Sequence, residues 1–365
     1  MLAVFVMNPV FKTDILPGRS VEIDGKTCLW FSGTDYLGMA YHPVLLDLLS
    51  EGFKTLGSHF GSSRNNTLQL NAFRQAEEAL CGYTGADDAV LVSSGMLAGF
   101  IIRTSIRSVL QEAAPGSRIM EWEAPMLHPA LSRRKKAMTD WSSWAEKTAD
   151  RIRKAAPGVY HVVYSDAIGS PKTAWFDFSY FRELPNALLV VDDSHGIGIT
   201  GTSGGGAYGL LQSCGVENIM VIASLNKAMG IPGGIILGRS KMLQPIRQAP
   251  VYSGASPVPP VYAHALASMI AQGEYLKAYT RLQENNRYFR QQITFSDRFS
   301  SLPGYPVYTS EDAGLFSFLL QNGILSSSFS YPSPTDSPVT RLVISAAHTP
   351  EDLDCLARTC SRYYD

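Results

Sequence analysis

Cysteine is scarce and scattered. Cys28, Cys81, Cys214, Cys355 and Cys360 are the five in 365 residues, with no C-x-x-C pair. An odd, dispersed set argues against a disulfide framework or a cysteine-rich zinc site and favours a reducing compartment. Charge is also thin, at 17% of residues with a net charge of −1 and a pI near 6.7. No basic field exists to attract nucleic acid or an anionic membrane. No segment carries the ~20 apolar residues needed to span a bilayer. Residues 1–7 are apolar but lack a basic start and are short for a signal peptide. Internal repeats and low-complexity tracts are missing too. These absences leave a soluble, cytoplasmic protein as the expectation. A hydrophobic content of 45% over this length allows one large or two ordinary domains with a sizeable core.

What is present is an alternation of strands and helices. Asp24-Gly25, between two β-prone runs, predicts a hairpin over residues 21–31. Pro43 suits a first helical turn, and the following helix is expected to turn Leu45, Leu46, Leu49 and Phe53 inward. A Gly/Ser loop over 57–64 precedes a helix over about 70–83. Strands are expected at 89–92, 160–164, 187–191, 219–223 and 234–237. Most are continuous apolar runs, which suits strands covered on both faces and a mostly parallel, doubly wound α/β sheet. Residues 250–260, rich in proline, break the pattern, and one long helical stretch is expected over 261–293. Strands are expected at 315–320 and 341–345. Thr349-Pro350-Glu351-Asp352 reads as the cap of a last helix. The expected division is an N-terminal segment over 1–45, a large domain over 46–255, and a linking helix with a small α+β domain over 256–365.

Two strand ends carry the chemistry. The run Ala187-Leu188-Leu189-Val190-Val191 ends in Asp192-Asp193-Ser194-His195-Gly196. The next, Ile219-Met220-Val221-Ile222, leads to Ser224-Leu225-Asn226-Lys227. A lysine able to form a Schiff base, with a carboxylate for a pyridinium nitrogen, makes a set that suits pyridoxal phosphate. Asp192 and Asp193 can equally cap a strand or turn. A metal site of Asp192, Asp193 and His195 is a further alternative, but it lacks other clustered ligands. Ser94-Gly95-Met96 reads as a strand-to-helix turn whose backbone N–H groups and helix dipole favour an anion such as phosphate. His195 suits a ring hydroxyl and His128 the face of a ring, although a lone histidine is commonly structural. Arg341 can hold a substrate carboxylate in a two-pronged contact or form a structural ion pair, and Arg64 is a similar candidate.

The chain as a whole resembles the α-oxoamine synthases, fold-type-I enzymes dependent on pyridoxal phosphate. The resemblance runs from Thr34-Asp35-Tyr36-Leu37-Gly38 to Ser345-Ala346-Ala347-His348. It passes through Gly61-Ser62-Ser63-Arg64, Ser94-Gly95, Asp192-Asp193-Ser194-His195-Gly196, Ser224 to Ala228, and Tyr252-Ser253 with Pro259-Pro260. It is carried most specifically by the Asp-Asp-x-His-Gly and lysine segments, 35 residues apart from Asp192 to Lys227.

The resemblance implies a fold-type-I architecture, with a large domain and a smaller C-terminal one. It implies that Lys227 binds the cofactor, Asp192 faces the ring nitrogen, His195 the ring hydroxyl and His128 the ring face. Ser94, Gly95, Met96 and Ser224 would form the phosphate pocket, and Ser170 would lie near the ring. It further implies a homodimer with shared sites, in which Ser253 or Ser256 reaches the partner's phosphate. The implied reaction joins an amino acid to an acyl-CoA or carrier-bound thioester, with loss of carbon dioxide as the usual outcome, as in 8-amino-7-oxononanoate synthases. Asn226 stands where a glycine is usual, and residues 164–172 have lost most of the family's acidic signature. An aminotransferase, lyase or racemase on the same fold, or a non-catalytic binding protein, are the competing expectations.

Overall fold

The computed structural model describes residues 10–133, 139–170, 173–293, 296–330 and 336–365. The apolar opening at residues 1–7 lies outside them. The chain divides into two compact units. One comprises residues up to Tyr41, Ser170–Ala174 and Ala278–Asp365, and the other His42–Gly169 and Trp175–Lys277. The N-terminal hairpin and the C-terminal residues therefore share a unit, and one boundary falls within the Glu274–Gln292 helix.

The larger unit is built on a six-stranded sheet. Its order is Asp88–Val92, Gly234–Gly238, Ile219–Ser224, Ala187–Asp192, Val159–Asp166 and Arg118–Glu123. The last four strands run parallel, while Gly234–Gly238 is antiparallel to both neighbours. Continuous apolar runs fit the interior because both faces are covered, and every residue of Ala187–Asp192 is buried. Leu188, Val190, Met220, Ile222 and Ile236 pack with Ile101, Ile102 and Leu131 in one core. Each such side chain contributes roughly 1.5–3 kcal/mol by leaving water. The sheet is α/β and mostly parallel, as the sequence indicated, with one strand beyond the five expected, Arg118–Glu123.

Several local expectations are corrected. The helix beginning at Pro43 spans Pro43–Thr55 and buries Leu45 and Gly52, leaving Leu46 and Phe53 45% exposed. It packs on the Pro260–Ala271 helix through Gly52, where an added Cβ would lie 2.5 Å from Val261 Cγ2. That close approach rotates Leu46 and Phe53 outward. The long helix expected over 261–293 is two, Pro260–Ala271 and Glu274–Gln292, separated at Gly273 with φ +70°. The 315–320 run is the helix Leu315–Gln321, not a strand.

The smaller unit holds its own six-stranded sheet, in which Lys26–Phe31 lies parallel to Ile324–Ser330 and the other pairings are antiparallel. Asp24 and Gly25 take φ +49° and +73°, the left-handed turn expected of that hairpin. Thr349 and Asp352 form the capping box of Pro350–Tyr364. Beneath them, His348 stacks on Phe31 with ring centroids 4.1 Å apart. Its Nδ1 accepts from Ser345 N at 3.0 Å, so Nε2 carries the proton and donates to Trp30 O at 2.9 Å.

Burial lowers the His348 pKa from 6.5 to about 4. In the unfolded chain the imidazole protonates near 6.5; in the folded protein it stays neutral until about 4. Stability is therefore lost as pH falls through that window, by an expected ~3 kcal/mol. Urea unfolding at pH 7 and pH 4.5 measures it. His348→Asn is expected to flatten that part of the pH dependence, and an undiminished acid slope in the variant would refute the assignment.

Candidate active site

In the larger unit, the C-terminal ends of parallel strands bring the expected residues together. Lys227 lies in the loop joining Ile219–Ser224 to Gly234–Gly238. Backbone bonds close that loop: Leu225 N donates to Gly233 O at 2.9 Å, Ile231 N to Leu225 O at 3.0 Å, and Gly230 N to Lys227 O at 3.2 Å. Leu225, Ala228, Met229 and Ile231 are buried around a half-buried Lys227. Tyr275 donates its hydroxyl to Met229 O at 2.8 Å. The lysine thus stands on a fixed base, and its Nζ lies 2.9 Å from His195 Nε2. Either nitrogen can donate, according to which one holds the proton.

Asp192 closes the neighbouring strand and is only 7% exposed. Its Oδ1 accepts from Ser194 N at 2.9 Å, and its Oδ2 lies 3.5 Å from His128 Nδ1. His128 is held from the next strand over. Its backbone N donates to both Asp166 oxygens, at 3.2 and 3.3 Å. Asp166 pairs in register with Asp192 across parallel strands. Ser194 Oγ accepts from Ser224 N at 2.8 Å and ties the Asp192 end to the Lys227 loop.

The Gly95–Ala113 helix begins beside Ser224. Ser94 caps it, its Oγ accepting from Leu97 N at 3.1 Å. A Cβ on Gly95 would lie 2.8 Å from Ser224 Cβ and 3.0 Å from its backbone N. Only glycine lets this helix start approach the lysine strand so closely. A buried carboxylate, a lysine on a rigid loop and a glycine-lined helix N-terminus therefore match the parts of pyridoxal phosphate: ring nitrogen, aldehyde and phosphate. Gly95→Ala is expected to push the helix start away, costing about 1–3 kcal/mol in stability and weakening cofactor binding about tenfold. Absorbance titration with pyridoxal phosphate measures the second effect, and unchanged affinity would dismiss this cradle.

The other expected residues sit elsewhere. Met96 follows on the same helix start and is 53% exposed. Arg64 is engaged by Glu77 at 2.9 Å, by Leu91 O at 3.2 Å, and by the face of Phe73 at 4.3 Å from the ring centroid. Ser253 Oγ accepts from Asn65 Nδ2 at 2.7 Å, and Ser63 Oγ donates to Ser253 O at 2.7 Å. Ser256 is exposed. Ser170 and Arg341 belong to the smaller unit, where Ser170 is exposed. Arg341 is buried there, and its guanidinium donates to Tyr36 Oη at 2.8 Å and to Gly33 O at 3.4 Å.

Asp166, Asp193 and Ser194 were not singled out for positioning roles from sequence. The signal available was an acid or hydroxyl at the end of an apolar strand run. Among the described residues, no group of three or more His, Cys, Asp or Glu side chains is arranged to hold a metal ion, and no helix is long and apolar enough to cross a membrane. A separate open cavity of about 850 Å³ lies between Tyr83, Ser203, Leu210 and Leu276, with no charged side chain in its lining.

The chain as a whole is similar to known proteins. The family model "Aminotransferase class I and II" matches residues 133–359, more than half of the chain. An 8-amino-7-oxononanoate synthase from Aliivibrio fischeri is 29% identical over 93% of this chain and 90% of its own. Among solved structures, a serine palmitoyltransferase from Sphingomonas wittichii is 18% identical, with a TM-score of 0.79, covering 98% of this chain and 93% of that one. A high-resolution serine palmitoyltransferase structure, with pyridoxal phosphate as its internal aldimine, is 19% identical with a TM-score of 0.81, covering 96% of this chain and 91% of that one.

Proposed function

The chain belongs to the aminotransferase class I and II family, with pyridoxal 5′-phosphate as its cofactor, and from that premise we propose that it transfers an acyl group from a thioester to the Cα of an amino acid. The resemblance to the α-oxoamine synthases is borne out by relatives named 8-amino-7-oxononanoate synthase and serine palmitoyltransferase. The first name describes a product with an amino group beside a ketone. The observation that carries the proposal is Lys227 Nζ placed 2.9 Å from His195 Nε2, on a loop joined through Ser194 to the strand end of Asp192.

The cofactor, when bound, supplies an electron sink conjugated to the substrate Cα. The chain's residues do the rest. Lys227 Nζ takes the Cα proton, and His195 Nε2 exchanges a proton with that nitrogen. Asp192 supplies a buried negative charge to balance a protonated ring nitrogen. His128, oriented by Asp166 and Asp192, would hold the cofactor ring. The N–H groups at the start of the Gly95–Ala113 helix, with Ser94 and Ser224, would hold its phosphate. In the balance, a bond forms between Cα and the acyl carbonyl carbon, the thioester C–S bond breaks, and the thiol leaves. Carbon dioxide is then lost from the amino-acid carboxylate, and Lys227 Nζ returns a proton to Cα in its place. In this reading the chain works as a homodimer, supported by Met96 and Phe100 exposed one turn apart on one helix.

The family's name favours a second reading, transfer of the amino group itself. Incubating the holoprotein with amino acids and acyl-CoA thioesters separates the two. Amino-acid-dependent release of the CoA thiol supports acyl transfer. Formation of a 2-oxo acid with no thiol release would overturn it.

A further inference from the structure

We propose that Asp193 is a positioning residue for His195 and Lys227, clamping the turn that carries His195 to the glycine-rich loop over residues 196–206. This inference rests on reading Lys227 and His195 as the reacting pair. Asp193 N donates to Ile222 O on the lysine strand at 2.7 Å. Its carbonyl accepts from Gly196 N at 2.9 Å and Ile197 N at 3.0 Å, closing the turn around His195. Its side-chain Oδ2 accepts from Ala207 N at 2.7 Å, at the start of the Ala207–Ser213 helix. One residue therefore pins both ends of the loop to the sheet.

The packing leaves no room for looseness. A Cβ on Gly196 would overlap Asp193 Oδ1, and one on Gly206 would overlap Oδ2. Gly206 also takes φ +78°, which glycine adopts without strain. Asp193 is 2% exposed, and its Oδ1 has no hydrogen-bond partner among the described residues. Burial pushes its pKa up to about 8, against the pull of the Ala207 N–H and with a further push from neighbouring Asp192. Burial thus favours the neutral carboxyl, and Asp193 serves this turn through its shape and the bond from Ala207 N. An amide of the same shape can do the work of Asp193, whereas a methyl group cannot.

The test compares the parent with Asp193→Asn and Asp193→Ala, both loaded with and stripped of cofactor. In the stripped protein, acylation of Lys227 by an amine-reactive reagent is measured by peptide mass against Lys54, whose side chain is 72% exposed. In the loaded protein, the pH midpoint of the cofactor's visible absorbance is read. Asp193→Asn is expected to keep the Lys227:Lys54 ratio within about twofold. Asp193→Ala is expected to change it at least about fivefold and to move the midpoint by about half a pH unit or more, with circular dichroism unchanged. If the alanine variant does not fold, Asp193→Ser, too short to reach Ala207, gives the same comparison. A parental ratio in the alanine or serine variant overturns the proposal, as does an asparagine variant that departs as far as alanine. A parent without visible absorbance would reject the functional reading instead, and the labelling ratio would still decide the role of Asp193.

Discussion

Lys227→Ala is expected to lower turnover by at least about a thousandfold, ~4 kcal/mol of transition-state stabilisation. The fold should survive, because the loop is closed by backbone bonds of Leu225, Gly230 and Ile231 and anchored by buried Met229. Lys227 is the one lysine in the Leu225–Gly233 stretch between the two buried strands, and its Nζ lies 2.9 Å from His195 Nε2. The variant is expected to bind pyridoxal phosphate non-covalently and to lack the visible absorbance of a lysine-bound cofactor. Steady-state kinetics and a spectrum measure both. Parental turnover in a folded variant would remove Lys227 from the chemistry.

The second large effect is expected at Asp192. In Asp192→Asn the amide oxygen can still accept from Ser194 N, so the turn and the His195 position are retained. The amide cannot supply the charge that keeps a ring nitrogen protonated. Cofactor affinity is expected to change by less than about tenfold, while exchange of the substrate Cα hydrogen for deuterium slows by about a hundredfold or more. This split between binding and carbanion formation separates an electronic role from a structural one. Exchange as fast as in the parent would rule the electronic role out.

The parts of this site legible in sequence were those carried by unusual local patterns. Continuous apolar runs identified the buried strands, and the acid, histidine and lysine after two of them identified the strand ends. Arg118–Glu123 escaped because it lies at the sheet edge, pairs on one side only and is nowhere fully buried. An edge strand needs no continuous apolar run. The Leu315–Gln321 helix was misread because a short apolar run has no period of its own. Its start is decided by a side chain, Asp312 Oδ1 accepting from Gly314 N at 3.2 Å. The outward turn of Leu46 and Phe53 depends on Gly52 meeting Val261, a contact far away in sequence. The positioning parts of the site were invisible for the same reason. His128 meets Asp166 and Ser194 meets Ser224 only once parallel strands have come into register.

The most direct measurement is borohydride reduction of the protein loaded with pyridoxal phosphate, followed by mass mapping of its peptides. The account predicts loss of the visible absorbance and a single pyridoxyl label, on Lys227. A label on a different lysine, or none at all, would contradict it.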